Sequence, residues 1–137
     1  MDAKKFLLGT LGGGVAYFLL GFIFYGMLLM DFFANNSGSA TGLAKEPMAM
    51  WAIALGNFAH AALLTYIFGQ WANISTFATG AKAGAIIGFL IALGGNFLAY
   101  GTSNISNLNA VIVDSLVYAV LSAIAGGLIG LILGKVK

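Results

Sequence analysis

The sequence predicts an all-α membrane protein, a four-helix transmembrane bundle running up-down-up-down with both termini cytoplasmic. Three observations carry that prediction. The 137 residues are 61% hydrophobic and only 7% charged, with mean hydropathy +0.99. Soluble domains carry roughly a quarter charged residues, so the solvent for this surface is lipid. The apolar residues fall into four segments of the length a bilayer demands, and the lysines crowd onto one side of the resulting hairpins.

The first segment, residues 6–30, follows Lys4 and Lys5 but is longer than the apolar stretch of a secretory leader. Asp31-Phe32-Phe33 stands where a cleavage site would need small residues, so the segment reads as a retained helix. The second, residues 48–71, comes after the Asn-, Ser- and Gly-rich stretch DFFANNSGSATGLAKEP, whose Pro47 sits at the expected helix start. The third and fourth cover residues 83–100 and 110–133. Each approaches or exceeds the roughly 18–20 residues that span a hydrocarbon core, and helices satisfy their own backbone groups there. NISTFATGAK and GTSNISNLN are the remaining connections. Short connections imply antiparallel neighbours and one integral membrane domain over residues 1–137.

Lys4, Lys5, Lys82, Lys135 and Lys137 lie on the side shared by the termini, against Lys45 alone on the other. The positive-inside rule then places both termini in the cytoplasm.

The 20 glycines are concentrated inside the helices. Gly80, Gly84 and Gly88 recur every four residues on the third helix, and Gly126, Gly130 and Gly134 do so on the fourth. Such ridges are the small-xxx-small pattern by which membrane helices approach closely. They hold this bundle together or present a face to a second copy or a larger membrane complex. The lipid bilayer is the other expected partner.

One ionisable residue interrupts the apolar run NAVIVDSLVYAV. Asp114 lies about 6 Å inside the fourth helix from its outer end, and Tyr118 shares its face one turn on. Asn96 on the third helix, Asn57 and His60 on the second and Tyr25 on the first converge on the same outer half. A carboxylate inside a membrane segment costs on the order of 2.5–3.5 kcal/mol and normally faces the bundle interior or a wet cavity. These six residues form the candidate polar pocket, with His60, Asn57 or Asn96 as the expected partners of Asp114, the deeper His60 directly or through Tyr118 or a water. Interhelical hydrogen bonding, or a cap at the start of the fourth helix, is the structural alternative.

Several chemistries are excluded. There is no cysteine, one histidine and no zinc-binding run, so no metal or cofactor is expected. GTLGGG lacks the Lys-Ser/Thr of a phosphate loop, and no nucleophile elbow occurs, so no enzymatic activity is expected. Six scattered lysines do not make a nucleic-acid surface.

GGGVAYFLLGFIFYGMLLMDFF and VDSLVYAVLSAIAGGLIGLILG resemble the first and last helices of the small bacterial membrane proteins grouped as domain of unknown function 1761. The chain departs from that pattern at Phe24-Tyr25-Gly26-Met27, where the family reads Trp-Tyr-Ser-Pro, and at Ala119, where a histidine follows the tyrosine. The resemblance implies a four-helix bacterial inner-membrane protein without assigned chemistry, so it transfers no residue roles. The sequence thus points to an interaction or accessory subunit packing through glycine-rich helix faces. The alternative is a small transporter or ligand-binding membrane protein using the outer polar pocket.

Overall fold

A computed structural model describes residues 1–136, and Lys137, counted above among the cytoplasmic lysines, lies outside them. The described residues contain five α-helices and no strand. Helix α1 (Ala3–Ile23) runs on through a π-helical turn (Phe24–Leu28) and is followed by the short α2 (Met30–Asn35). Helix α3 (Met50–Tyr66) likewise ends in a π-helical turn (Ile67–Ala72), ahead of α4 (Phe77–Thr102) and α5 (Leu108–Lys135). With their π turns included, the four long helices have 26, 23, 26 and 28 residues and are long and apolar enough to cross a membrane. Trp51 and Trp71, 74% and 70% exposed, mark the two ends of the α3 segment. Twenty residues at helical rise separate them by about 30 Å, the thickness of a hydrocarbon core, where aromatic side chains anchor at both interfaces.

Caps decide the boundaries, and they correct the sequence reading. Asp2 accepts from the Lys5 backbone N–H at 2.9 Å, so α1 starts at Ala3 rather than residue 6. The first segment does not run unbroken to residue 30. It breaks at Leu29 (φ −113°, ψ 10°), and Met30 opens α2. Pro47 is not the first helical residue, because Met48 and Ala49 intervene before α3. The largest shift is at α4, which begins six residues before position 83. Thr76 accepts from the Thr79 N–H at 3.2 Å and caps a turn read from sequence as loop, so Lys82 sits in the second turn of α4. Asn107 caps α5 through Ala110 N at 2.9 Å.

Helix α1 runs antiparallel to α3, and α4 to α5. Gly9 and Gly13 of α1 face Thr65 and Ala61 of α3, while Gly80 and Gly88 of α4 face Gly126 and Ser122 of α5. Both α1 and α4 pack on α5, from different sides. The fully buried side chains Tyr17, Leu64, Phe68, Leu121 and Ile129 mark where α1, α3 and α5 meet. Met1, Gly69, Asn73 and Leu133 share one end of the bundle, here called the terminal end. At the distal end the stretch after α2 is tied to the α4–α5 connection: Gly38 N donates to Ile105 O at 2.9 Å and Ala40 N to Asn104 O at 3.0 Å.

The two glycine ridges meet each other. A Cβ on Gly126 would lie 2.5 Å from the Gly80 carbonyl oxygen and 3.0 Å from Gly84 Cα. Gly88 lies against Ser122, Gly130 against the Thr76 carbonyl and Gly134 against that of Ser75. Of the two roles the spacing allows, the ridges hold this bundle together, each occupied by the neighbouring helix of the same chain. Close backbone approach, rather than side-chain burial, joins α4 to α5, as expected where lipid removes the hydrophobic drive between helices.

Candidate functional site

Helix α5 carries Asp114, Tyr118 and Ser122 four residues apart, which puts all three on one face. Around that face the other long helices supply polar partners. From α4, Asn96 Nδ2 donates to Asp114 Oδ2 at 2.6 Å and to Ser115 Oγ at 3.2 Å. From the end of α1, the Tyr25 hydroxyl stands beside the Asp114 carboxylate. From α3, His60 Nδ1 pairs with the Tyr118 hydroxyl. Deeper in α1, Tyr17 stacks on Tyr118 with centroids 5.6 Å apart and planes 13° apart, and donates to Ser122 Oγ at 2.8 Å.

The π-helical turn has a local consequence for this arrangement. Leu29 N bonds to Phe24 O at 2.8 Å, five residues back, so the turn around Tyr25 holds one residue more than an α-turn. Such insertions are frequent at functional sites because they re-aim side chains within a continuous helix.

Between α1 and α3, toward the distal end, lies a cleft of about 430 Å³. Nearer the terminal end the glycines of α1 draw these helices together, with Phe58 seated on Gly14. Beyond Phe58 they enclose open space. A Cβ on Gly21 would meet nothing within 4 Å. Phe18, Phe22 and Tyr25 form the α1 wall; Ile53 and Asn57 stand opposite. Tyr118 and Leu121 of α5 also line the cleft, together with Met30, Met48 and Met50 from the chain around α2 and the start of α3. A few polar groups in a mostly apolar and aromatic concavity is the usual make-up of a small-molecule site, and the volume falls within the roughly 300–1,000 Å³ such sites occupy.

Of the six expected pocket residues, the structure brings Asp114, Asn96 and Tyr25 together, and joins His60 to Tyr118. It does not bring His60 or Asn57 to Asp114. Asn57 turns its amide back onto the Ile53 carbonyl at 3.0 Å and lines the cleft instead. His60 is spent on Tyr118, whose hydroxyl is nearer than the carboxylate level. Nor does Asp114 cap its helix, because Asn107 does so two turns earlier. Three residues outside the expected set belong to the site. Ser115 and Ser122 share the polar face of α5, a spacing visible in the sequence. Tyr17 counts from its position as a residue of the opposite half and gave no such signal.

The groups that meet Asp114 are the Asn96 amide and the Tyr25 phenol, neither of them a cation. Lys4, Lys5, Lys82 and Lys135 lie toward the terminal end and Lys45 in the α2–α3 connection. Among the described residues no group of three or more histidine, cysteine or acidic side chains is placed to hold a metal ion. Comparison with protein-family profiles, curated proteins and solved structures finds no match.

Proposed function

We propose that this chain is a small-molecule-binding protein of a bacterial plasma membrane, crossing it four times up-down-up-down with both termini in the cytoplasm. Its ligand occupies the cleft between α1 and α3, in the outer half of the bilayer. The observation that carries this reading is the unfilled space beside Gly21, walled by aromatic side chains and floored by Tyr118. The glycine ridges, which would favour an accessory role, are engaged within the chain. Orientation is supported by lysine placement: Lys4, Lys5, Lys82 and Lys135 toward one end against Lys45 at the other.

The test fills the cleft without touching the fold. Gly21→Leu adds a side chain where a Cβ meets nothing, so the variant should fold and purify like the parent. Native mass spectrometry from mild detergent should find the parent carrying a small molecule and Gly21→Leu without it. Identical ligand loads on both proteins would refute the site.

A second reading, an accessory or homo-oligomeric subunit, is favoured by Gly94, Gly95 and Gly101 on α4, where a Cβ would also meet nothing. Cysteine cross-linking at position 98 of α4 in native membranes tests it. A disulfide-linked dimer supports a second copy on that helix; its absence removes the reading.

A further inference from the structure

The cleft also carries a statement about charge, which rests on the ligand-binding reading above. We infer that its ligand is a lipophilic monovalent cation: a bulky apolar body bearing one delocalised or quaternary positive charge.

Three features of the site converge on that class. The lining is overwhelmingly apolar, so a strongly hydrated polar ligand would lose its water without replacement bonds. The walls are rich in aromatic rings, with Phe18, Phe22, Tyr17, Tyr25 and Tyr118 all reaching the cleft. Such rings attract cations at their faces, and quaternary ammonium groups are the ligands aromatic cages recognise. Behind this wall lies Asp114, a carboxylate whose neighbours are the Asn96 amide and the Tyr25 hydroxyl, with no lysine on the helices of its half of the bundle, where Lys45 stands in the α2–α3 connection. A charge left uncompensated beside lipid is costly, and a cation in the cleft offsets that cost from one residue away.

Tyr25 couples the two features. Its ring lines the cleft while its hydroxyl faces the carboxylate. An anionic ligand would meet both the ring faces and the carboxylate unfavourably. A neutral one would gain from neither, so charge itself is the discriminating property.

The experiment compares two probes of nearly equal shape: methyltriphenylphosphonium, a cation, and triphenylmethanol, which is neutral. Binding is measured by equilibrium dialysis against the protein in nanodiscs of phosphatidylcholine, with empty nanodiscs subtracted. The zwitterionic lipid removes any attraction of the cation to anionic headgroups. The parent should bind the cation saturably and about tenfold more tightly than the alcohol, an advantage that one well-placed carboxylate with aromatic faces supplies. Asp114→Asn should erase that advantage while leaving triphenylmethanol binding unchanged, and Gly21→Leu should abolish both. Should Asp114→Asn not fold, Tyr25→Phe keeps the ring, removes its link to the carboxylate and should cut the cation's advantage severalfold. Equal affinities for the two probes, with Gly21→Leu still abolishing both, would overturn the cation assignment and leave the cleft as a site for neutral apolar ligands. Binding of neither probe, or binding indifferent to Gly21→Leu, would remove the cleft as a site and this inference with it.

Discussion

Substituting alanine at Gly126 isolates the contact that joins α4 to α5. The added Cβ would stand 2.5 Å from the Gly80 carbonyl oxygen and 3.0 Å from Gly84 Cα. Non-bonded carbons settle at about 3.5–4.0 Å, so the two backbones must separate by roughly 1 Å. Both obstacles are main-chain atoms, and no side-chain rotation relieves them. Overpacking of this kind costs about 1–3 kcal/mol. Alanine also improves helix propensity by up to about 1 kcal/mol, which would mask part of the clash. Gly95→Ala supplies the correction, since it makes the same chemical change on α4 where a Cβ meets nothing within 4 Å. The difference between the two variants should therefore be about 1–3 kcal/mol, or roughly one to two powers of ten in the unfolding equilibrium. Unfolding in mixed micelles of mild detergent and dodecyl sulfate, followed by loss of helical circular dichroism, measures it. Equal midpoints for Gly126→Ala and Gly95→Ala would refute the direct ridge-to-ridge contact. A change in particle size without a change in midpoint would return the ridge to an intermolecular role.

Two further outcomes are expected. Tyr17→Phe leaves the buried Ser122 hydroxyl without its partner and should cost about 1–3 kcal/mol in the same unfolding assay, whereas Tyr17→Phe with Ser122→Ala should cost about 1 kcal/mol less than the sum of the single changes. Strict additivity would mean the two hydroxyls do not interact. For orientation, cysteines at the exposed Ser39 and Ser75 should differ in intact cells treated with an impermeant thiol reagent, Ser39 reacting and Ser75 protected; the reverse order would invert the bundle.

The helices were legible because lipid imposes one strong rule, that an apolar run of sufficient length be helical, and the composition obeys it throughout. Their ends were less so. The early start of α4 depends on Thr76 turning its hydroxyl onto the Thr79 N–H, a local bond competing with loop conformations that the same Ser- and Thr-containing stretch favours elsewhere. In the site, Asp114 and Asn96 were found together because an unpaired carboxylate in a membrane segment demands a donor and few are on offer. Position along the chain sets His60 near Asp114 either directly or through Tyr118 or a water, and the structure pairs it with Tyr118, because depth along a helix gives height but not azimuth. At its height the side chain that faces it across the α3–α5 interface is Tyr118.

Glycine is where the sequence is most ambiguous, and the cleft follows from that ambiguity. A missing side chain creates either close approach or empty space. Gly126 and Gly80 come to main-chain contact, while Gly21 and Gly56 face nothing. Spacing marks out the main-chain contact between α4 and α5. The glycines in contact recur every fourth residue on both partners, so that each gap in one ridge receives the other backbone along the whole crossing. Gly21 has no counterpart at the matching level of α3, where Ile53 and Asn57 stand across the cleft. A lone glycine among aromatic residues cannot draw two backbones together, because the large neighbours hold the helices apart. The π-helical turn beginning at Phe24 then fixes Tyr25 at the distal end of the opening, its hydroxyl beside Asp114. Filling position 21 and relaxing the crossing at position 126 are thus opposite operations on one residue type. The first should leave stability intact and remove binding, the second should lower stability and leave the cleft between α1 and α3 as it is.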